Sequence, residues 1–255
     1  MPLPRLLPVL LPVLLAVAAG AFAQEANYKL VFEDNFDGVK LNAETWDIRS
    51  GSWYGRGNCT GEALAVKDGV LSITAWTEEK LHWSGRITMK NSRNFGFRQG
   101  KVEGRLRVNP VTGVCPIFSC NTDEKDAKQP HVGIEIFSSW GQEKGGAYST
   151  GIGWEDPNNA DQKKARKQQN SFTFGKSWHT YGVEWDETGY RFTMDGKSRM
   201  TVKNPEGIAA RRGITLGCML PMPEQKSYDF GPKGKAKPLY EVDWVKVWER
   251  IPAAK

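Results

Sequence analysis

One carboxylate and one imidazole stand at alternate positions of a short, mostly apolar stretch, residues 130–141. Glu135 and His131 are four residues apart, and a strand repeats every two residues, so both side chains would share one face. A carboxyl group and an imidazole on a common face suit proton transfer, and we take both as candidate catalytic residues. Each residue also has a purely structural interpretation. Glu135 could be a buried acid whose charge is paired with Arg105 or Arg86. His131 could be a histidine whose ring nitrogens are hydrogen-bonded within the fold.

The four cysteines are Cys59, Cys115, Cys120 and Cys218, and none of them is spaced with a histidine as in zinc sites. We therefore expect no catalytic metal and no cofactor. Four cysteines allow three ways of forming two disulfides, and the sequence does not choose among them. Cys115 and Cys120 would face opposite sides of a regular strand, so their direct pairing needs a bend.

Short alternating segments, separated by Gly, Asn, Asp and Pro, must position these groups. Regular strand spacing with turn residues predicts an all-β sandwich or barrel, with no second domain. One such segment carries only charged residues at its alternate positions, Lys101, Glu103, Arg105 and Arg107. Alternation by itself favours a solvated outer face for them. The segments are residues 70–75, 100–108, 181–185, 190–194 and 239–248.

The first 23 residues have the pattern of a secretory signal peptide. Arg5 precedes an apolar stretch, and Ala21-Phe22-Ala23 gives a small-residue cleavage site before Gln24. We expect a mature domain of residues 24–255, secreted to the periplasm or the outside of the cell. No later stretch is long and apolar enough to cross a bilayer.

Composition narrows the range of partners. The formal net charge is +6, and the basic residues are mixed with acids, which does not suit a nucleic-acid-binding face. A positive balance is compatible with an acidic glycan. The 10 Trp, 7 Tyr and 11 Phe exceed what a binding surface needs, so most should pack in the core. Trp46, Trp185, Trp244 and Trp248 fall within patterned strands, which favours core positions for them.

Six segments follow one another along nearly the whole mature chain: residues 30–38, 66–75, 84–90, 100–105, 178–185 with 194–197, and 238–248. Together they resemble glycoside hydrolase family 16, the group of laminarinases, lichenases and agarases. Residues 178–185 with 194–197 are a close match, and residues 238–248 resemble the closing strand of the lichenase-like members.

The resemblance implies a β-jelly-roll of two curved antiparallel sheets, with a concave cleft that grips a polysaccharide chain. It implies that Glu103 and Arg105 line this cleft, with Arg86 nearby. This differs from the solvated outer face that alternation alone favours for Glu103 and Arg105. We expect Trp53, Trp140 and Trp154, which fall in or beside cleft loops, to stack on sugars, with packing inside the loops as the alternative. A structural Ca²⁺ on the convex face occurs in such folds, without identifiable ligands here.

The same resemblance implies that the catalytic strand is altered. In the family this strand contains Glu-Ile-Asp-Ile-Glu, sometimes with one extra residue before the last Glu. Retaining hydrolysis needs two carboxyl groups roughly 5–5.5 Å apart. Two registers are open here, with either Gly133, Glu135 and Phe137 or His131, Gly133 and Glu135 at the acid positions. In both registers Glu135 faces the cleft, and the other two positions carry no acid.

Our first hypothesis is a secreted, monomeric polysaccharide-binding protein whose hydrolysis of β-glucan or galactan is weakened or lost. The alternative is an active endo-glycanase that uses Glu135 with a relocated second group, such as Glu103, Asp229, Glu241 or His131. A remoter version is a lyase acting on an acidic glycan. A structural protein of an envelope or matrix is a third class, which nothing in the sequence favours specifically.

Overall fold

The computed structural model describes residues 28–90, 93–96, 98–109, 111–122, 131–139, 147–155, 168–173, 176–203, 212–221 and 228–251. Most of these residues form strands, and Gly61–Ala63 forms a short 3-10 turn. Among them, no helix has the length and apolar character needed to cross a membrane. The strands are β1 (Tyr28–Asp34), β2 (Trp46–Ile48), β3 (Gly51–Trp53), β4 (Arg56–Cys59), β5 (Leu64–Lys67), β6 (Val70–Ile73), β7 (Ala75–Glu78), β8 (Leu81–Ser84), β9 (Arg86–Met89), β10 (Gly100–Val108), β11 (Cys115–Thr122), β12 (His131–Ser138), β13 (Ala147–Glu155), β14 (Gln168–Thr173), β15 (His179–Trp185), β16 (Gly189–Met194), β17 (Lys197–Lys203), β18 (Arg212–Met219) and β19 (Tyr240–Arg250).

Two large antiparallel sheets make up the sandwich. The β10 sheet has the order β17-β16-β15-β10-β19-β6-β5, and β1 adds to β19. The β12 sheet has the order β14-β13-β12-β11-β18-β9-β2. A small third sheet, β3-β4-β8-β7, contains the parallel pair β4 and β8. The predicted all-β jelly roll of two antiparallel sheets is confirmed.

The core lies between the inward faces of the two large sheets. On β10, Val102 and Leu106 are buried, and a Cβ at Gly104 would come within 2.9 Å of the Phe118 ring on β11. The ring of Phe137 on β12 lies 4.7 Å from that of Tyr181 on β15, between centroids. Side chains that alternate with these must therefore point outward, away from the opposite sheet.

Four tryptophans predicted for the core divide into two pairs. Trp46 and Trp185 are buried, as expected. Trp244 and Trp248 are only partly buried, under the ammonium groups of Lys246 and Lys101 respectively. Their strand has a bulge at Asp243, where the register with β10 shifts by one residue, so the expectation for this pair is wrong.

The packing of Phe118 against Gly104 gives a stability prediction. We expect Phe118→Ala to lower the free energy of unfolding by about 3–5 kcal/mol, because it removes a fully buried ring from between the sheets. Chemical denaturation measures the change. Val39→Ala, at a side chain that is 91% exposed, serves as the control. A loss for Phe118→Ala as small as the control's would contradict this account of the core.

A charged turn at the end of β15 gives a pH prediction. Burial raises the pKa of Asp186, but hydrogen bonds from Thr188, Arg250 and Gly189 outweigh it, and the net pKa is lowered. The carboxylate therefore stabilises the fold above the pKa of an unfolded aspartate, and this contribution disappears as pH falls through the lower, folded value. We expect the Tm advantage of wild type over Asp186→Asn to shrink between about pH 6 and about pH 2. A constant difference across this range would contradict it.

Candidate functional site

A β-bulge in β12 decides which side chains reach the outward face of the β12 sheet. Phe118 on β11 pairs with Phe137, and the next residue, Ser119, pairs with Glu135, so Ile136 is the extra residue. The register with β13 shifts at the same place. After the bulge, Phe137 points into the core and Ser138 returns to the face of Glu135.

The family resemblance includes a form of the catalytic strand with one extra residue before its last acid, and a bulge at Ile136 is what that form requires. In that form, the three acid positions correspond to Gly133, Glu135 and Ser138. Phe137 points into the core, so the expectation that it takes the third one is wrong. Val132 and Ile134, which alternate with the first two, have no exposed surface. Of these three positions, Glu135 supplies a carboxylate and Ser138 a hydroxyl, whereas Gly133 has no side chain.

Glu135 is held by hydroxyl groups. The hydroxyl of Ser138 donates a hydrogen bond to the Glu135 carboxylate, and Thr150 Oγ1 donates to the Glu135 main-chain oxygen at 3.0 Å. Arg105, a cation considered as its partner, lies on the other sheet. Arg86 lies on β9, three strands from β12 and so roughly 14 Å away between backbones.

Neutral polar groups surround Glu135 on this face. Its cross-strand neighbours are Ser119 on β11 and Gly151 on β13. One row further along, Gly133 lies between Asn121 and Gly153. Asn121 Nδ2 donates to Ser119 Oγ at 3.1 Å, which orients the amide. Such a floor presents hydroxyl and amide groups, which hydrogen-bond well to sugar hydroxyls.

Two predicted binding residues, Trp53 and Arg86, lie together at the β9 side of this face. The Arg86 guanidinium lies 4.4 Å from the centroid of the Trp53 ring. The ring is only 6% exposed, packed with Cys59, Cys115 and Ile117. Trp53 therefore supports Arg86 through a cation–π contact, and little of its ring is left for stacking on a sugar.

Glu103 and Arg105 lie outside the cleft. Both are on β10, whose inward residues Val102 and Leu106 pack in the core, so their side chains point away from the β12 sheet. Glu103 pairs with Lys101 at 3.3 Å, and Arg105 pairs with Asp243 on β19. The expectation that they line the cleft is wrong, and the solvated outer face suggested by alternation is what the structure shows.

Three further candidates are located only in part. Trp140 lies outside the described residues. His131 begins β12 and Trp154 lies on β13, opposite Val132, but their side chains are outside the described part of the chain. Along the strand, His131 is four residues from Glu135, roughly 13 Å between backbones.

The four cysteines are buried free thiols. Cys115 and Cys59 are near enough to Cys218 to affect its pKa, which burial raises, and Ser84 bonds to the same thiol. Cys120 faces the core between the large sheets, where burial raises its pKa to about 12. Within the described ranges, no group of three or more His, Cys, Asp or Glu side chains is arranged to hold a metal ion. The structural Ca²⁺ expected from the resemblance stays a prediction.

Sequence reasoning missed Ser138, Ser119, Asn121 and Thr215 as residues of this face. Thr215 pairs with Ser119 across β18 and β11. The neighbouring apolar residues Ile136 and Phe137, which break the alternation, were the signal that could have located the bulge and hence Ser138.

Comparisons with known proteins show the family and the fold of the chain. Residues 56–245 match the model of the family described as glycosyl hydrolases family 16. Glucan endo-1,3-beta-glucosidase A1 of Niallia circulans is 24% identical over 208 residues, 71% of this chain and 30% of the relative. The clotting factor G alpha subunit of Tachypleus tridentatus is 25% identical over 203 residues, 75% of this chain and 29% of the relative. The chain thus spans under a third of the length of these curated relatives.

Solved structures share the fold at low identity. Porphyranase B from Zobellia galactanivorans superposes with a TM-score of 0.70 at 19% identity, covering 89% of this chain and 95% of that one. An endo-beta-1,3-glucanase from Pyrococcus furiosus gives 0.70 at 17% identity, covering 90% and 97%. The family match extends over most of the residues that form both large sheets. The chain belongs to glycosyl hydrolases family 16.

Proposed function

We propose that this protein binds a polysaccharide in the cleft of a family-16 scaffold and that its hydrolytic activity is greatly weakened or lost. The observation that supports the proposal is the bulged strand, whose cleft face carries Gly133, Glu135 and Ser138, a single carboxylate in a stretch where the family resemblance calls for three acids. Export of a mature chain beginning at Gln24 is part of the same proposal, supported by the signal-peptide pattern alone.

The chemistry of a retaining glycosidase needs both flanking carboxyl groups. One attacks the anomeric carbon and the other protonates the leaving oxygen, and they lie roughly 5–5.5 Å apart. Gly133 has no side chain to attack with, and the neutral hydroxyl of Ser138 is too weak an acid to protonate a leaving group. General acid catalysis alone typically contributes about 10²–10⁴ in rate, so losing both groups removes most of the acceleration.

The groups considered as a relocated second catalytic residue lie elsewhere. Glu103 and Glu241 occupy the outward face of the β10 sheet, across the core from Glu135. Asp229 is exposed and accepts a hydrogen bond from Gly231 N, beside β7. The backbone of His131 lies roughly 13 Å along the strand from that of Glu135, and an imidazole is not the second carboxyl group that an inverting pair uses. These positions support binding over an active endo-glycanase.

For the ligand we propose a β-glucan first. The curated relative that is named for its substrate is a glucan endo-1,3-beta-glucosidase, and a galactan stays the second choice from the family resemblance. The neutral polar floor around Glu135 favours an uncharged chain over an acidic one, because a carboxylate repels anionic groups in its neighbourhood.

The first test separates binding from cutting. We expect the mature protein to retain soluble β-glucan while releasing no new reducing ends above a buffer control, and Glu135→Gln to leave that background unchanged. Affinity electrophoresis reports retained polymer, and a reducing-sugar assay reports cutting. Robust release of reducing ends that disappears in Glu135→Gln would establish the active endo-glycanase instead.

The second test restores the missing acids. We expect Gly133→Glu combined with Ser138→Glu to raise glucan hydrolysis by at least about 100-fold over wild type, because the two carboxyl groups would again flank the bond. A Cβ at Gly133 is 3.5 Å from Asn121 Oδ1 among the described atoms, so the new side chain has room.

The matched control is Gly133→Gln with Ser138→Gln, which adds the same bulk without the acids and should stay at background. Equal rates for the Glu and Gln pairs, with binding preserved in both, would show that this face does not carry the family's chemistry.

A further inference from the structure

A depression of about 520 Å³ lies on the outward side of the β10 sheet, near the ends of β15, β17 and β19. Sites for small ligands typically enclose roughly 300–1,000 Å³. The groups that line it and face solvent are an aromatic ring, a carboxylate, two guanidinium groups and two hydroxyls, each half-buried or exposed, so the packing of the core does not explain their grouping. They belong to Tyr28, Glu184, Arg191, Arg250, Thr188 and Thr201.

One row of outward side chains crosses five strands and ends in this depression. Trp248 on β19 lies opposite Lys101 on β10, and Lys101 lies opposite Glu184 on β15. The row continues through Arg191 on β16 to Thr201 on β17. Four strand spacings of about 4.8 Å make it roughly 19 Å long. A surface of this length suits an extended chain of several units better than a single small molecule.

Two aromatic rings flank Lys101 at the start of the row. Its ammonium lies 4.2 Å from the centroid of the Trp248 ring and 5.4 Å from that of Tyr28. Both rings are half-buried, and the bulge at Asp243 turns Trp248 away from the core. Tryptophan and tyrosine combine a large flat apolar surface with a polar edge. The C–H face of a sugar ring, with hydroxyls at its rim, is complementary to such a surface.

The charged groups along the row are paired with one another. The pairs are Lys101 with Glu103, Glu184 with Arg191, and Asp186 with Arg250. Partly exposed pairs contribute little to stability individually, but each sets hydrogen-bond donors beside acceptors, as neighbouring sugar hydroxyls require. Lys203 at the rim has no ion-pair partner among the described residues. An acidic chain would gain this one cation and would meet the carboxylates of Glu184 and Asp186, which favours an uncharged ligand.

We propose that this row and its depression form a second glycan-binding site, on the face opposite the cleft, for an uncharged polysaccharide. Trp248 and Tyr28 give flat surfaces to sugar rings, and Glu184 with Arg191 hydrogen-bonds to their hydroxyls. This rests on the proposed function and goes further, since one protein molecule would hold two polysaccharide chains at once. On a dense polymer, two sites per molecule raise the overall avidity above the affinity of either site.

The number of short ligands bound per chain tests the proposal. Isothermal titration of the mature protein uses a short linear β-1,3-gluco-oligosaccharide. We expect wild type to bind a second molecule besides the one in the cleft. Trp248→Leu combined with Tyr28→Leu keeps apolar bulk but removes the flat rings, so it should lose this second molecule. The affinity of the remaining site should stay within about threefold.

Matched variants and an acidic ligand separate recognition from structural damage. Trp248→Phe with Tyr28→Phe keeps flat rings and should retain both sites, with the second weakened by less than about tenfold. Leu81→Ala removes an exposed apolar side chain from the small third sheet and should change neither stoichiometry nor affinity. An oligouronate of the same length should not occupy the second site. The Tm of each variant reports whether the fold persists.

The outcomes distinguish this site from the proposed function. A single bound molecule in wild type that persists in the double leucine variant overturns the second site and leaves the proposed function intact. A single molecule that the double leucine variant loses supports this site and contradicts binding in the cleft. Binding of only the oligouronate on this face overturns the assignment to an uncharged chain, and no binding of either ligand contradicts both proposals.

Discussion

The aromatic contact among Phe137, Tyr148 and Tyr181 holds β12 in its bulged register. The Phe137 ring stacks on Tyr148 with centroids 5.3 Å apart and meets Tyr181 from the other sheet at 4.7 Å. Because side chains alternate, a one-residue slip of this strand would exchange its core and cleft faces. With Phe137 fixed in the core, Ile136 must be the extra residue, and Glu135 and Ser138 must share the cleft face. All conclusions about the site depend on this anchor.

The two outward faces of the sandwich differ in electrostatic character for the same geometric reason. On the β10 sheet, cations and anions alternate across strands, as in the pair of Arg107 with Glu241 and that of Lys246 with Glu33. These partly exposed pairs contribute little to stability individually. The face of the β12 sheet has Glu135 amid hydroxyls, an amide and glycines. Among the described residues of this face, the neighbours of Glu135 therefore offer hydrogen-bonding groups without a second charge, and the Arg86 guanidinium lies three strands away.

The alternation of apolar and polar residues predicted the strands and the charged row at Lys101, Glu103, Arg105 and Arg107. It could do so because the two-residue period of a strand depends only on neighbouring residues in the sequence. It could not say which sheet β10 belongs to, since that depends on pairing with β15 and β19, far away in sequence. The resemblance then placed Glu103 and Arg105 in the cleft, wrongly.

Bulges were the second source of error. Each inserts one residue and reverses the alternation of the residues after it. The bulge at Ile136 hid the role of Ser138, and the one at Asp243 turned Trp244 and Trp248 outward. Arg212 was not anticipated at all: it is 1% exposed, donates to the Tyr190 hydroxyl at 3.0 Å and lies over Trp185. No local pattern marks a buried arginine, because its partners come from a different sheet.

The placement of the four thiols limits how the chain can be cross-linked. Cys59, Cys115 and Cys218 are neighbours, whereas Cys120 points to the opposite side of β11, among the residues between the large sheets. A disulfide needs Cα atoms within about 7 Å and Cβ atoms that face each other. Each way of forming two bridges must use Cys120, and this fold gives Cys120 no cysteine to face. Oxidation can therefore join at most two of the three neighbours, and at least two sulfhydryl groups stay reduced inside the folded protein, hidden from alkylating reagents until it unfolds.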